Sequence, residues 1–187
     1  MALGKCVLIS EQPEQNAAAI AEHLKPSWFG FLCVLALTML AADQYSKWLA
    51  IQHLSYGIPV PVLEPWLNWT LVHNFGAAFS FLSQSGGMQH WFFVSIAAAA
   101  SIGLPIWISR LKSDERVLSL ALTLVWSGAV GNLIDRLRFR YVVDFIHVHW
   151  KEIWHYPVFN IADSAITVGA VLLISYELRA WWRGRKL

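Results

Sequence analysis

Three aspartates fall within one stretch of the chain, Asp135, Asp144 and Asp163, with Asn132, Arg136 and Asn160 close by. The stretch runs from Ser127 to Asp163, leaves one long apolar segment, crosses a polar, aromatic-rich loop and enters another apolar segment. An ionisable side chain at the edge of hydrocarbon is expensive and points to function. Asp144 stands in Tyr141-Val142-Val143-Asp144-Phe145-Ile146, where apolar and β-branched neighbours give a carboxyl no structural reason to be. Asp163 follows nineteen positions later, and a loop of that length can return to the same membrane surface. Two carboxyls brought together there would share a proton, because adjacent carboxylates cannot both ionise cheaply. Such a pair can activate water against a peptide bond, so the residues read as a membrane-embedded aspartyl protease site.

The other polar groups each carry two readings. Asn160 can cap the helix that follows, with Asp163 at its third position complementing the dipole, or both can belong to the site. Asp43 and Lys47 lie four apart and share a helix face. They read either as an ion pair anchoring a helix end, with Lys47 snorkelling outward, or as support for the site. Asn132 and Arg136 are also four apart; Arg136 could pair with Asp135 or a later acid, or the two could hold substrate backbone. His147 and His149 alternate as strand neighbours do and could offer a metal two ligands beside Asp144. Neither an H-E-x-x-H helix nor a cysteine pair accompanies them, so the expectation is interfacial histidines, no metal and no cofactor.

Composition sets the frame for these residues. Of 187 residues, 57% are hydrophobic and 14% charged, which excludes an ordinary soluble domain and suits a small polytopic membrane protein. The formal charge of +2 says little as a total. Two cysteines, Cys6 and Cys33, make no disulfide framework. Four apolar runs can each cross a bilayer, which takes about 20 residues: Trp28 to about Ala50, His90 to Ser109, Val117 to Ile134, and Ile161 to Trp182. Several of the eleven tryptophans flank these runs, as interfacial belts do. The expected organisation is an N-terminal tail over 1–27, one four-helix domain over 28–182 that includes loop 51–89, and a basic tail over 183–187. Arg110, Lys112 and Arg116 between runs two and three, with Arg179, Arg183, Arg185 and Lys186 at the end, mark the cytoplasmic side. Loop 51–89 has no Lys or Arg, which places both termini inside and the aspartates near the outer face. Leu67 to Val72 alternates well enough for a short strand, so a small sheet should lie on the outer surface with its apolar face towards lipid.

Five segments taken together resemble the bacterial lipoprotein signal peptidase family, signal peptidase II. They are Asp43-Gln44-Tyr45-Ser46-Lys47, His73-Asn74-Phe75-Gly76-Ala77-Ala78-Phe79, Gly131-Asn132-Leu133-Ile134-Asp135-Arg136, Val142-Val143-Asp144-Phe145 and Phe159-Asn160-Ile161-Ala162-Asp163. They occur in the family's order, over about residues 28–182. The resemblance implies an all-α membrane protein of four transmembrane helices with a small extracytoplasmic β-sheet cradle in loop 51–81, and a lid around Ser83–His90. It implies an inner-membrane aspartyl endopeptidase that cuts diacylglyceryl prolipoproteins before the lipidated cysteine and is blocked by globomycin. On that reading Asp144 and Asp163 are the catalytic dyad. Asn74, Asn132, Arg136 and Asn160 would bind substrate or orient the dyad, with Asp43 and Lys47 in support. Membrane lipid is then a partner and nucleic acid is not. The rival classes are a small proton-coupled carrier, which would show matching halves and broken mid-membrane helices, and a structural subunit, which would not need Asp144.

Overall fold

The computed structural model describes residues 24–76, 88–151 and 153–184. Helix α1 spans Pro26–His53, α2 Met88–Ile108, α3 Arg116–Phe139 and α4 Ile161–Trp182. Each is long and apolar enough to cross a membrane. These are the four apolar runs of the sequence, with one extension: α3 continues five residues past Ile134 and so carries Asp135 and Arg136 within its last turns. The described part of the expected N-terminal tail also turns helical two residues early, at Pro26, where proline is preorganised for a first turn.

Helix α3 is the central element. It is the most buried of the four. Helices α1, α2 and α4 all pack along it, and α4 also touches α1. Close approach depends on small residues. A Cβ on Gly131 would stand 2.6 Å from Asp43 Oδ2, and one on Gly169 would stand 2.7 Å from the Ala121 carbonyl oxygen. At the far end from Asp163, Leu32, Ile108, Leu111, Leu118 and Leu122 form an apolar plug.

The rest is an antiparallel sheet in the order β1-β2-β3-β4. Strand β1 is Val60–Leu63, β2 Leu67–Asn74, β3 Val142–Trp150 and β4 Trp154–His155. The sheet is therefore not contained in loop 51–81. Half of it comes from the loop between α3 and α4, and its central pair joins β2 to β3 across about seventy residues of chain. The register sets Val72 opposite Asp144 and Asn74 opposite Val142. Ala50, Leu71, Val143 and Phe145 bury the sheet's inner face against the end of α1. Val60, Val62 and Leu63 leave β1 exposed along its length. Of the expected lid, Met88, Gln89 and His90 begin α2 and residues 83–87 lie outside the described residues, as do 77–81 of the expected cradle.

Candidate active site

Two local devices bring Asp144 and Asp163 together. Helix α3 is capped by Arg140, which takes a left-handed conformation at φ 68°, and β3 starts two residues later. That turn throws Asp144 back over the helix ends, where it is 1% exposed. Helix α4 begins with a capping box: Asn160 Oδ1 accepts from Asp163 N at 2.8 Å, and Asp163 Oδ2 accepts from Asn160 N at 3.3 Å. The capping reading of these two residues is correct. It does not compete with the site reading, because the remaining atoms of both reach across to other elements.

Asn160 is fully buried, and its Nδ2 donates to Asp144 Oδ1 at 2.6 Å. Asn74, at the end of β2, donates from Nδ2 to Asp144 Oδ2 at 2.9 Å. Both oxygens of Asp144 are thus held by side-chain amides. Asn132 Nδ2 donates to Asp163 Oδ1 at 2.7 Å. The Asp163 carboxyl keeps a partly open face towards a cavity of about 410 Å³ that Trp154, Tyr156, Phe159, Thr167 and Val168 help to line. Burial, and then the neighbouring Asp163 charge, push the Asp144 carboxyl up from its ordinary 3.8 to about 7, against the amide donors and the Lys47 charge. Desolvation disfavours the charged form of an acid, and a second carboxylate disfavours it further.

A second buried cluster lies directly behind. Lys47 Nζ stands 2.9 Å from Asp43 Oδ2 and 2.8 Å from Asp135 Oδ2. It also donates to Asn132 Oδ1 at 3.0 Å. Lys47 is 2% exposed, so it does not snorkel outward. A second acid and a carbonyl-type oxygen offer it a complete partner set inside, and a paired ammonium can remain buried. Gln44 Nε2 bridges Asp43, Asp135 and the Gly131 carbonyl at 3.1–3.2 Å. The cluster touches the elements that carry Asp144 and Asp163. Asp43 Oδ1 accepts from Ala162 N at 2.8 Å, and Asp135 Oδ2 accepts from Val143 N at 3.1 Å.

Arg136 makes no ion pair with Asp135 among the described residues, since Asp135 is taken by Lys47. Its Nη1 reaches the Asn132 carbonyl at 3.4 Å, and its guanidinium lies 5.0 Å from the centre of the Phe93 ring of α2. Sequence reasoning gave Gln44 no role and tied Asp135 only to Arg136. The available signal was two acids facing a single cation in otherwise apolar helices.

His147 and His149 do share a region with His155, their ring centres 5.2–5.7 Å apart. His147 Nε2 is bonded to His155 Nδ1, and His149 Nδ1 to the Lys151 carbonyl. Among the described residues no three His, Cys, Asp or Glu side chains converge as a metal centre.

Known proteins carry the same plan. Residues 35–179 match the family model described as signal peptidase (SPase) II. The lipoprotein signal peptidase of Acinetobacter baumannii strain ATCC 17978 is 54% identical over 147 residues, covering 79% of this chain and 80% of that protein. The lipoprotein signal peptidase of Pseudomonas aeruginosa strain PAO1 is 50% identical over 147 residues, covering 78% of this chain and 87% of that one. A solved structure described as a bacterial membrane enzyme, determined in meso at 1.9 Å resolution, superposes with a TM-score of 0.71 at 31% identity. It covers 84% of this chain and 97% of its own. The helices, the sheet and these matches define a multi-pass membrane enzyme of the aspartic peptidase class. Within that class the chain belongs to the signal peptidase II family.

Proposed function

We propose that this enzyme removes the signal peptide of diacylglyceryl-modified prolipoproteins, cutting before the lipidated cysteine, with Asp144 and Asp163 as its catalytic dyad. The observation that carries the reading is that Asn160 donates to both carboxyls, from its side-chain Nδ2 to Asp144 Oδ1 and from its backbone N–H to Asp163 Oδ2. It supports a fixed pair in which the deeply buried Asp144 holds a proton while Asp163, with its open face, is ionised. Asp163 then takes a proton from water as general base. Asp144 polarises the scissile carbonyl as general acid. Water adds to the carbonyl carbon, and proton transfer to the leaving nitrogen releases the signal peptide and frees the lipidated cysteine as the new N-terminus.

The supporting residues divide by the atoms they touch. Asn74 and Asn160 orient Asp144, and Asn132 orients Asp163. Arg136 lies over the Phe93 ring with its guanidinium unpaired by any described acid, suited to substrate carbonyls. Asp43 and Lys47, with Asp135 and Gln44, lock the helix ends in register. The substrate's membrane anchoring favours a site at the outer face of the bacterial inner membrane, both termini cytoplasmic, within reach of membrane lipid. Globomycin, as a ligand of the family's dyad, should compete at the same place. The test is direct. Purified protein is incubated with a lipidated prolipoprotein, and the products are identified by mass spectrometry. Release of an intact signal peptide ending one residue before the lipidated cysteine supports the assignment. No release, or cleavage at another bond, overturns it.

A further inference from the structure

Gln89, in the first turn of α2, takes no part in the chemistry above, yet it is buried and donates from Nε2 to the Gly76 carbonyl. A buried amide is costly unless it is bonded, and the residue it is bonded to stands next to the site. Gly76 lies two positions past Asn74, the last residue of β2. Its N–H donates to Asn74 Oδ1 at 2.8 Å, in the turn that an asparagine side chain makes with the backbone two residues on. A backbone N–H can only donate, so this bond fixes which end of the Asn74 amide is the oxygen. The Nδ2 end is left pointing at Asp144 Oδ2, 2.9 Å away. Turned over, the amide would set its oxygen against a carboxyl oxygen and lose both bonds.

The turn itself is held from α2. Gly76 sits at φ 92°, where any side chain is strained. A Cβ there would meet Gln89 Nε2 at 2.7 Å and also the ring of Phe93. Gln89 and Phe93 are four apart and share a helix face, and the Phe93 ring carries the Arg136 guanidinium at 5.0 Å. One face of α2 is thus pressed against the end of β2 and bonded to its backbone. We propose that Gln89 is a positioning residue of the dyad: by holding the Gly76 carbonyl it keeps the Asn74 amide turned towards Asp144. This rests on the function proposed above. Gln89 acts through Gly76 and Asn74, three hydrogen bonds in series from α2 to the carboxyl. The consequence is electrostatic as well as steric. An amide that donates to a carboxyl favours its ionised form, and the Asn74 bond draws the Asp144 carboxyl down against burial and the Asp163 charge. Without Gln89 that draw weakens, and Asp144 keeps its proton to a higher pH. The other charges that act on Asp144, which are Asp163 of α4, Lys47 of α1 and Arg136 of α3, are the same groups in a Gln89 variant.

The test uses the full chain and a lipidated precursor. Gln89→Met keeps the length of the side chain and removes the donor. Per folded molecule, with folding checked by circular dichroism, kcat should fall about tenfold, because a small misplacement of a catalytic group costs that or more. KM should stay at the parent value. The alkaline fall in kcat should move to higher pH than in the parent. Infrared titration of the carboxyl band that disappears in Asp144→Asn should move the same way with no substrate present. Gly76→Ala disturbs the same contact from the other side; it should give the same loss and the same shift, and it decides the matter if Gln89→Met folds poorly. Asn74→Ala should remove the dependence on Gln89. Adding Gln89→Met to it should cost little more, since residues that act as a unit are not additive. A merely structural Gln89 would lower the unfolding midpoint and leave kcat per folded molecule and its pH profile at parent values, and that result overturns the proposal. A full second loss of kcat on top of Asn74→Ala overturns it as well. Cleavage by the parent protein in the same assay reports separately on the function itself.

Discussion

Asp144 and Asp163 differ in what surrounds them, and that difference sets their expected behaviour. Replacing either with Asn keeps shape but removes one proton-handling partner. Signal-peptide release should fall by at least about 10²–10⁴-fold in each single variant. The double variant should be little worse, because residues that act as a unit are not additive. Near-parental cleavage by a folded single variant, checked by circular dichroism, would exclude the pair and make Asp135 the next candidate. The pH profile follows from Asp144, whose carboxyl is pushed up to about 7. The productive dyad holds one proton, so kcat should fall as pH rises through about 7. The apparent value belongs to the pair rather than to one residue. Stability has the same sign. Between 3.8 and about 7 the folded Asp144 retains a proton that the unfolded chain has lost. Thermal stability should therefore decrease as pH rises through that window. A kcat that climbs between pH 7 and 9 would contradict the assigned protonation.

At the scale of elements, the cluster behind the dyad acts as a joint between α1, α3, the start of β3 and the start of α4. Lys47→Met removes the cation that Asp43 and Asp135 share. Breaking a buried ion pair from one side costs about 3–5 kcal/mol, and the loss should register as a lower midpoint in thermal unfolding. Gly131→Ala pushes a methyl group against Asp43 and should cost about 1–3 kcal/mol by overpacking. An unfolding midpoint equal to the parent's in both variants would show that the joint does not hold these elements. The helices were legible because each apolar run of α1 to α4 is almost free of charge. Strand β2 was legible from its alternation. Strand β3 was hinted at by a β-branched stretch around Asp144 and by the alternation of His147 and His149, but its pairing was not, since its partner β2 lies in a distant loop and pairing across that distance leaves no local pattern. Lys47 was misread for the same reason. Its second acid, Asp135, is 88 positions away, and from Asp43 alone a snorkelling ion pair is the cheaper arrangement. The meeting of Asp144 with Asp163 was legible because Asp144 is out of place where it stands. Gln44 was not, because a glutamine beside an acid on a helix carries no distinguishing spacing.

The whole molecule is a frame that holds a polar site at one end of an apolar bundle. With native cysteines replaced, Ser113→Cys should label only from the cytoplasm and Ser55→Cys only from outside; the reverse pattern would invert the topology. Precursor lacking its lipid should be cut poorly, and efficient cutting of it at the same bond would argue against lipid recognition. The order in which the chain is made adds one further constraint. Asp144 waits on β2 and Asn74 from the first half of the chain. Asp163 and Asn160 arrive only with α4, the last span. Until that helix leaves the ribosome and enters the bilayer, the nascent protein holds Asp144 without Asp163. A chain stopped before Asn160 should be inert, and supplying Asn160 with α4 as a separate peptide should restore cleavage. The enzyme would thus be born inactive and gain its carboxyl pair on insertion of α4.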